Sequence, residues 1–366
     1  MERTYKFRIY PNTFQRELIA KTFGCCRFVY NYFLDKRIES YKLDGKSLTY
    51  NQCSSLLTAL KKELIWLNEV DSTALQTSIK DLDNAYQKFF KEHTGFPKFK
   101  TKKSHRYSYR AKCSYNNIQY YNKHIKLPKL GFIKTKDKQI PQGRILNATV
   151  SQEPSGKYYV SLCCTDVNIE PFEKTGSMIS LDLGIKEFCV TSDGLKVENH
   201  KYLKKSLSKI VKLHRELSRK SKGGSNRNKA RIKLARQYEK ISNQRKDFLN
   251  KLSTQLVKDY DIICIENLNI KGIMKNHKLA QAVSDVSWYD FTKKLQYKTN
   301  WYGKQIIKVD RFYASSQICN VCGYVNKETK NLAVREWVCP CCNSHHDRDV
   351  NASINILNEG LKKIIE

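Results

Sequence analysis

The sequence predicts a multidomain α+β protein: a β-barrel-like N-terminal half with an inserted helical bundle, then an α/β domain with an inserted cysteine-rich module. Three observations carry that expectation. TYKFRIYP (4–11) alternates apolar and polar residues like a half-buried strand, whereas residues 12–90 carry apolar side chains at helical spacing. Apolar runs at 178–181 and 262–265 each lead into an acid, and a Cys-x2-Cys pair occurs twice between 319 and 342. A chain of 366 residues is long enough for two or three domains of ~100–200 residues each.

The elements follow in order. Pro11 ends the first strand. QRELIAKTFGCCRFVYNYFLDKRI (15–38), SSLLTALKKELIWL (54–67) and ALQTSIKDLDNAYQKFF (74–90) read as three helices, broken at KLDGKS and near Asn68. Strands such as RYSYR resume from about 105 to 165, so one N-terminal domain is interrupted by another. In the second half, Leu203, Leu207, Ile210, Leu213 and Leu217 mark a helix, SKGGSN a break, and Ile232 to Leu256 a longer helix, together a helical hairpin.

Charge narrows the function. The chain holds 67 Lys and Arg against 35 Asp and Glu, a formal net charge of +32. Residues 91–140 supply +12 and residues 201–251 supply +15, with acids nearly absent from both. Solvated helix faces usually alternate sign, so these stretches read as footprints for a polyanion, nucleic acid being the abundant one. In the first stretch Lys98, Lys100, Lys102, Lys103, Arg106 and Arg110 interleave with rings such as Phe99 and Tyr107, offering phosphate contacts and stacking faces together. In the second, Arg227 and Arg231 are candidates for tracking a duplex backbone. No apolar run approaches the ~20 residues needed to span a bilayer, and MERTYKFRIY lacks an apolar core, so neither a membrane nor a secreted protein is expected. Thirteen cysteines, an odd number, suit reducing cytoplasm rather than a disulfide framework.

The chemistry lies in the second half. Asp182 sits inside the apolar strand of MISLDLGIKEFCVTSDG (178–194), Glu266 ends the strand of DYDIICIENLNI (259–270), and HHDRDVNASINIL (345–357) puts Asp347 and Asp349 at the head of a short helix. Either Asp347 or Asp349 also suits a helix N-cap. A buried carboxylate is costly unless it is paired or holds a cation. Acids on two core strands and a helix start match the RNase H-like arrangement, in which they converge on two divalent ions, here Mg²⁺, for phosphodiester hydrolysis. Between them, Cys319-x2-Cys322 and Cys339-x2-Cys342 have the spacing of a four-thiolate site for one structural Zn²⁺. Cys341 is spare, and His345 or His346 could replace a thiol.

Together these motifs resemble the TnpB family, RuvC-type proteins of bacterial insertion sequences related to compact type V CRISPR effectors. YKFRIYPNTFQRELIAKTFGCCRFVYNYFL (5–34), GFPKFKTKK (95–103), SLDLGIKEF (180–188), CIENL (264–268) and WVCPCCNSHHDRDVNASINI (337–356) carry the resemblance over nearly the whole chain. It implies catalytic, magnesium-binding acids at Asp182, Glu266 and Asp349, with Arg348 a phosphate contact, and demotes Asp347 to a neighbour. It further implies a wedge at 1–11 and 95–172, a helical recognition insertion at 12–94, a RuvC-like nuclease at 173–310 and 343–366, and a zinc ribbon at 311–342. Tyr50, Gln76, Thr77 and Lys80 become candidate contacts in the insertion. Asn343 stands where Gly is common and Ala314 where Pro or Thr is frequent, neither touching the metal chemistry.

The expected activity is RNA-guided DNA cleavage by a cytoplasmic, monomeric protein. Its partners would be a guide RNA from the element and double-stranded target DNA beside a short protein-read flanking motif. A nuclease-inactive guided repressor should lack one of the acids. A transposase joining strands with the same acids remains compatible with the sequence.

Overall fold

The computed structural model describes residues 1–104, 107–331 and 333–365. The chain divides into two compact units, Met1–Asn168 and Ile169–Glu366.

The first unit opens with β1 (Arg3–Tyr10), whose Tyr5, Phe7 and Ile9 are buried on one face, as the alternation requires. Three helices follow: α1 (Thr13–Asp44), α2 (Tyr50–Glu63) and α3 (Ser72–Glu92). Each start is written locally. Asn12 and Gln15 form a capping box on α1, Thr49 and Gln52 another on α2, and Asp71 accepts the N–H groups of Thr73 and Ala74 on α3. Gly45, left-handed at φ 64°, ends α1 within KLDGKS, and a 3-10 turn at Ile65–Glu69 carries the break around Asn68.

The chain then returns to strands β2 (Tyr107–Lys112), β3 (Gln119–Tyr121), β4 (His124–Leu127), β5 (Gly131–Thr135), β6 (Arg144–Gln152) and β7 (Tyr158–Thr165). With β1 they form a seven-stranded antiparallel sheet in the order β2-β6-β7-β1-β5-β4-β3. The helices are tied to it by polar contacts: Gln15 Nε2 donates to the carbonyls of Leu130 and Phe132 (both 3.0 Å), and Arg110 pairs with Asp81.

The second unit is built on β8 (Met178–Leu183), β9 (Glu187–Thr191), β10 (Lys196–Glu198), β11 (Ile262–Glu266) and β12 (Gln305–Val309), ordered β10-β9-β8-β11-β12. β9 runs antiparallel to both β8 and β10, whereas β11 is parallel to both β8 and β12. Between β10 and β11 the basic hairpin is α4 (Tyr202–Ser218) and the 35-residue α5 (Ser225–Asp259), sealed by Ile210, Leu213, Leu234 and Ile241. α6 (Ile270–Ile273), α7 (His277–Val286) and α8 (Trp288–Tyr302) lead into β12. A two-stranded ribbon, β13 (Glu336–Val338) with β14 (His345–Asp347), runs directly into α9 (Arg348–Ile365), which at 18 residues is not the short helix expected.

Side-chain alternation divides the central strands between two faces. Ile179, Leu181, Leu183, Ile263 and Ile265 pack under Leu249, Leu256 and Val257 of α5 and Phe291 and Leu295 of α8. Ser180, Asp182, Cys264 and Glu266 have the opposite parity and face α9. There Cys264 meets Ile356, Ser180 Oγ donates to the Ser353 carbonyl, and Ser353 Oγ donates to the Thr191 carbonyl at 3.0 Å.

Candidate active site

The register of the central strands sets the site. Ile265 pairs with Leu181 in the parallel ladder, so one step further Glu266 is level with Asp182 on the face covered by α9. Asp349 lies one helical turn before Ser353, whose carbonyl takes the Ser180 hydroxyl, and Ser180 is two residues from Asp182. The three acids therefore converge although about 170 residues of chain separate the first from the last.

Their electrostatics agree. Burial, then the charges of Glu266 and Asp349, push the Asp182 carboxyl up to about 8, while Arg348 draws it down. Burial also raises Glu266, against a hydrogen bond from Ser315 Oγ to its Oε1 at 2.8 Å. Asp349 accepts from Arg335 Nη1 at 3.2 Å. Asp347 does the capping: its Oδ1 accepts the N–H groups of Asp349 (3.0 Å) and Val350 (3.1 Å), and its Oδ2 takes Lys196 Nζ at 2.6 Å. Against the effect of burial, these contacts hold its carboxyl below the usual range.

The donor set fits Mg²⁺: hard carboxylate oxygens, partly withdrawn from water, whose mutual repulsion a divalent cation would relieve. Among the described residues the carboxylates are not drawn together as tightly as the cysteines, and Ser315 and Arg335 each bond one of them.

The Sγ atoms of Cys319, Cys322, Cys339 and Cys342 all lie within 4.8 Å of one another, a cluster able to hold a metal such as zinc. Two of the separations are 3.6 Å, close to the ~3.8 Å edge of a tetrahedron with ~2.3 Å Zn–S arms. Cys341 is exposed and outside the quartet. His346 stands beside it rather than in it, its Nε2 3.1 Å from Cys319 Sγ and its ring against Trp337. The ribbon and α9 are joined by hydrogen bonds. Arg348 N donates to the Arg335 carbonyl (2.8 Å), Asn351 Nδ2 to Ile318 (2.7 Å), and Asn355 Nδ2 to Ser315 (2.8 Å) and Ile318 (2.6 Å).

In the first unit Tyr50, Gln76, Thr77 and Lys80 line one cleft of about 530 Å³ with Arg110 and Lys112, and Lys80 Nζ lies 4.9 Å from the centre of the Tyr50 ring. A second cleft of about 510 Å³ is lined by Arg27, Phe99, Lys100, Tyr107 and Arg110. Lys100 Nζ lies 3.8 Å from the Tyr30 ring centre, and burial lowers its pKa. Lys98, Lys102 and Lys103 are exposed, and Arg106 lies outside the described residues. Tyr107 packs on Phe23 and donates to the Lys102 carbonyl at 3.1 Å. In the hairpin Arg227 donates to the carbonyls of Leu217 (2.8 Å) and Lys220 (3.0 Å), and Arg231 to Asn228 Oδ1 (2.9 Å). Arg348 Nε and Nη1 are buried without a hydrogen-bond partner among the described residues.

Sequence reasoning did not single out Ser315, Arg335 or Lys196. Their partners are 49, 14 and 151 residues away, and no local pattern announces such pairs. Among the described residues, no helix is long and apolar enough to cross a membrane.

Comparison with known proteins supplies a second line. Residues 161–277 match a family described as "Probable transposase", 288–356 one described as "Cas12f1-like, TNB domain", and 1–46 one described as "Helix-turn-helix domain". The last stretch folds here as β1 and the single helix α1. A Streptomyces pristinaespiralis protein named "Putative RNA-guided DNA endonuclease" is 37% identical over 99% of this chain and 90% of its own. The Escherichia coli K12 "Putative RNA-guided DNA endonuclease InsQ" is 32% identical over 98% and 92%. The solved "Cryo-EM structure of the Cas12f1-sgRNA-target DNA complex" has a chain of the same mixed α/β multidomain fold. Its TM-score is 0.61 over 98% of this chain and 99% of that one, at 13% identity.

Proposed function

We propose that this chain, which belongs to the TnpB family, is an RNA-guided DNA endonuclease of a transposable element, hydrolysing target phosphodiester bonds at Asp182, Glu266 and Asp349. The observation that carries this reading is the convergence of those acids: two on hydrogen-bonded parallel strands, level in register, and one at the start of the helix covering them. Binding surfaces alone, as in a guided repressor, have no use for such a cluster, because partly buried carboxylates without a cation are a cost.

Asp182, Glu266 and Asp349 would hold two Mg²⁺ ions, whose chemistry is to activate a water and stabilise the leaving oxygen. Ser315 orients Glu266 through its hydroxyl, and Arg335 neutralises Asp349 until a cation does so. Cys319, Cys322, Cys339 and Cys342 would hold one structural Zn²⁺, all four positions being filled by protein. His346, donating toward Cys319 Sγ, would temper the charge of the thiolates.

The N-terminal sheet and basic residues 95–110 form the wedge that holds the RNA, with helices α1, α2 and α3 as the recognition insertion. The cleft of Tyr50, Gln76, Thr77 and Lys80 suits reading of a short flanking DNA motif, having polar donors and acceptors beside an aromatic face. The hairpin of α4 and α5 supplies sequence-independent phosphate contacts.

Purification of the protein with co-expressed nucleic acid, followed by sequencing of what it retains, tests the guide. A discrete RNA species is expected, and its absence would sink the guided reading. Cleavage of matching DNA with Mg²⁺ tests the triad: wild type should cut and Asp182→Ala should not, and equal rates would rule the triad out.

A further inference from the structure

We propose that Phe312 is a base-stacking residue of this nuclease, its ring lying against an unpaired nucleobase of the DNA strand held at the carboxylates. The proposal rests on the endonuclease reading above and adds to it the way the strand is gripped beside the reacting phosphate.

Phe312 is 86% exposed, although its loop is tied to Glu266 at both ends. Val309, the last residue of β12, pairs with Glu266 in the parallel ladder and accepts the Asn267 N–H at 3.3 Å. On the far side of the loop, Ser315 Oγ bonds Glu266 at 2.8 Å. Phe312 stands midway, three residues from each anchor. With successive Cα atoms about 3.8 Å apart, its Cα lies no more than about 11 Å from either.

The turn is also held locally. Asp310 Oδ1 accepts the Phe312 N–H (2.8 Å), and the Asp310 carbonyl accepts that of Tyr313 (3.3 Å). Tyr313 packs inward against Cys264, Val309 and Ile356. Of two adjacent aromatic rings, one joins the core and the other stays in solvent.

Single apolar side chains on a surface are common, so exposure alone would assign nothing. Position does. A strand advances about 3.4 Å per nucleotide, so the ring can meet a base within about three nucleotides of a phosphate at Glu266. Arg311, exposed beside it, suits a neighbouring phosphate. An RNA-guided nuclease must cut whatever sequence its guide selects, so the cut strand needs a grip indifferent to base identity. Phosphate contacts are one such grip. Stacking on an aromatic side chain is the other, because every base has a π-face.

Single-turnover cleavage in Mg²⁺ is measured with the RNA-loaded full chain and DNA duplexes matching the retained RNA, intact or with one abasic site moved along each strand near the cut. Phe312→Ala should slow cleavage of intact DNA roughly 10- to 100-fold, the worth of one stacked base. Phe312→Trp should cut like wild type, and Phe312→Leu, apolar but without a π-face, like Phe312→Ala. At the stacked position an abasic site should slow wild type by the same factor and Phe312→Ala no further, whereas abasic sites elsewhere should slow both proteins alike. A rate for Phe312→Ala within about threefold of wild type on intact DNA, or a defect of equal size at every abasic position, would overturn the proposal. If Phe312→Ala loses zinc or melts lower than wild type, Phe312→Leu decides, and a wild-type rate for it overturns the role. If wild type and Asp182→Ala are equally inert, the endonuclease reading fails, and 2-aminopurine moved along the strands still reads the stacking. Its fluorescence at one position should be lower with wild type than with Phe312→Ala, and the lack of any such position would overturn the stacking too.

Discussion

Ser315 and Lys298 show how single side chains are committed in this protein. Ser315 Oγ donates to Glu266 from a loop before the first cysteine knuckle, so the carboxylate is oriented by a residue that ligates nothing. Outer partners of this kind typically carry 10–100-fold in metal affinity or activity. Ser315→Ala should therefore raise the Mg²⁺ concentration needed for half-maximal cleavage by roughly tenfold, with RNA retention unchanged, as a Mg²⁺ titration would reveal. Lys298 is buried between α8 and α5, its Nζ donating to the Asn250 carbonyl (2.8 Å), Ser253 Oγ (2.8 Å) and Thr254 Oγ1 (2.6 Å). Burial first, and the charge of Lys294 second, lower its pKa from 10.5 to about 8. Between those values the unfolded chain binds the extra proton, so this lysine makes stability rise as pH climbs from about 8 to 10.5. Denaturant melts of wild type and Lys298→Met across that window should show the gap between them shift by up to about 3 kcal/mol in favour of wild type.

At the scale of elements, α9 joins the cysteine ribbon to the carboxylates. Gly360 lets the helix lie directly on β11: a Cβ there would come within 2.4 Å of Cys264 Sγ and 3.0 Å of its Cβ. Alanine is worth about 1 kcal/mol over glycine in a helix interior, whereas overpacking costs about 1–3 kcal/mol. Gly360→Ala should thus destabilise the wild type and become neutral or stabilising in a Cys264→Ala background, a reversal that thermal melts of the four proteins would reveal. At the other end of α9, hydrogen bonds from Arg348, Asn351 and Asn355 reach Arg335, Ser315 and Ile318 around the ribbon. Removing zinc with a chelator should release about one ion per chain and abolish cleavage while the RNA stays bound; full cleavage by the stripped protein would contradict the coupling. These elements differ in how far the sequence discloses them. The paired cysteines, the acids set in or after apolar strands and the capped helices are visible because each is a spacing or a local contrast. The level register of Asp182 and Glu266, the commitment of Asp349 to Arg335, and the room left by Gly360 arise only once distant strands meet. Asp347 and Asp349 were indistinguishable as caps by pattern alone, and two backbone N–H groups separate them.

Across the whole molecule the net charge of +32 is the feature that binding must use. Not every cation is available for it. Arg227 holds the turn between α4 and α5 through two carbonyls, and Arg110 is paired with Asp81, whereas Lys98, Lys102 and Lys103 are exposed. Each phosphate neutralised releases condensed counterions, so the logarithm of affinity falls with the logarithm of salt by about 0.7 per contact for a single strand and about 0.9 for duplex DNA. Replacing Lys98, Lys102 and Lys103 together with Ala should reduce the salt slope of RNA binding by roughly 2, about 0.7 for each, with little change in melting temperature. Arg227→Ala should differ by lowering the melting temperature, because Arg227 Nη1 bonds two backbone carbonyls that hold the turn between α4 and α5. Filter binding at several salt concentrations, alongside thermal melts, separates the two. Equal slopes for wild type and the triple variant would mean that the lysines serve solubility alone and that the polyanion is held elsewhere.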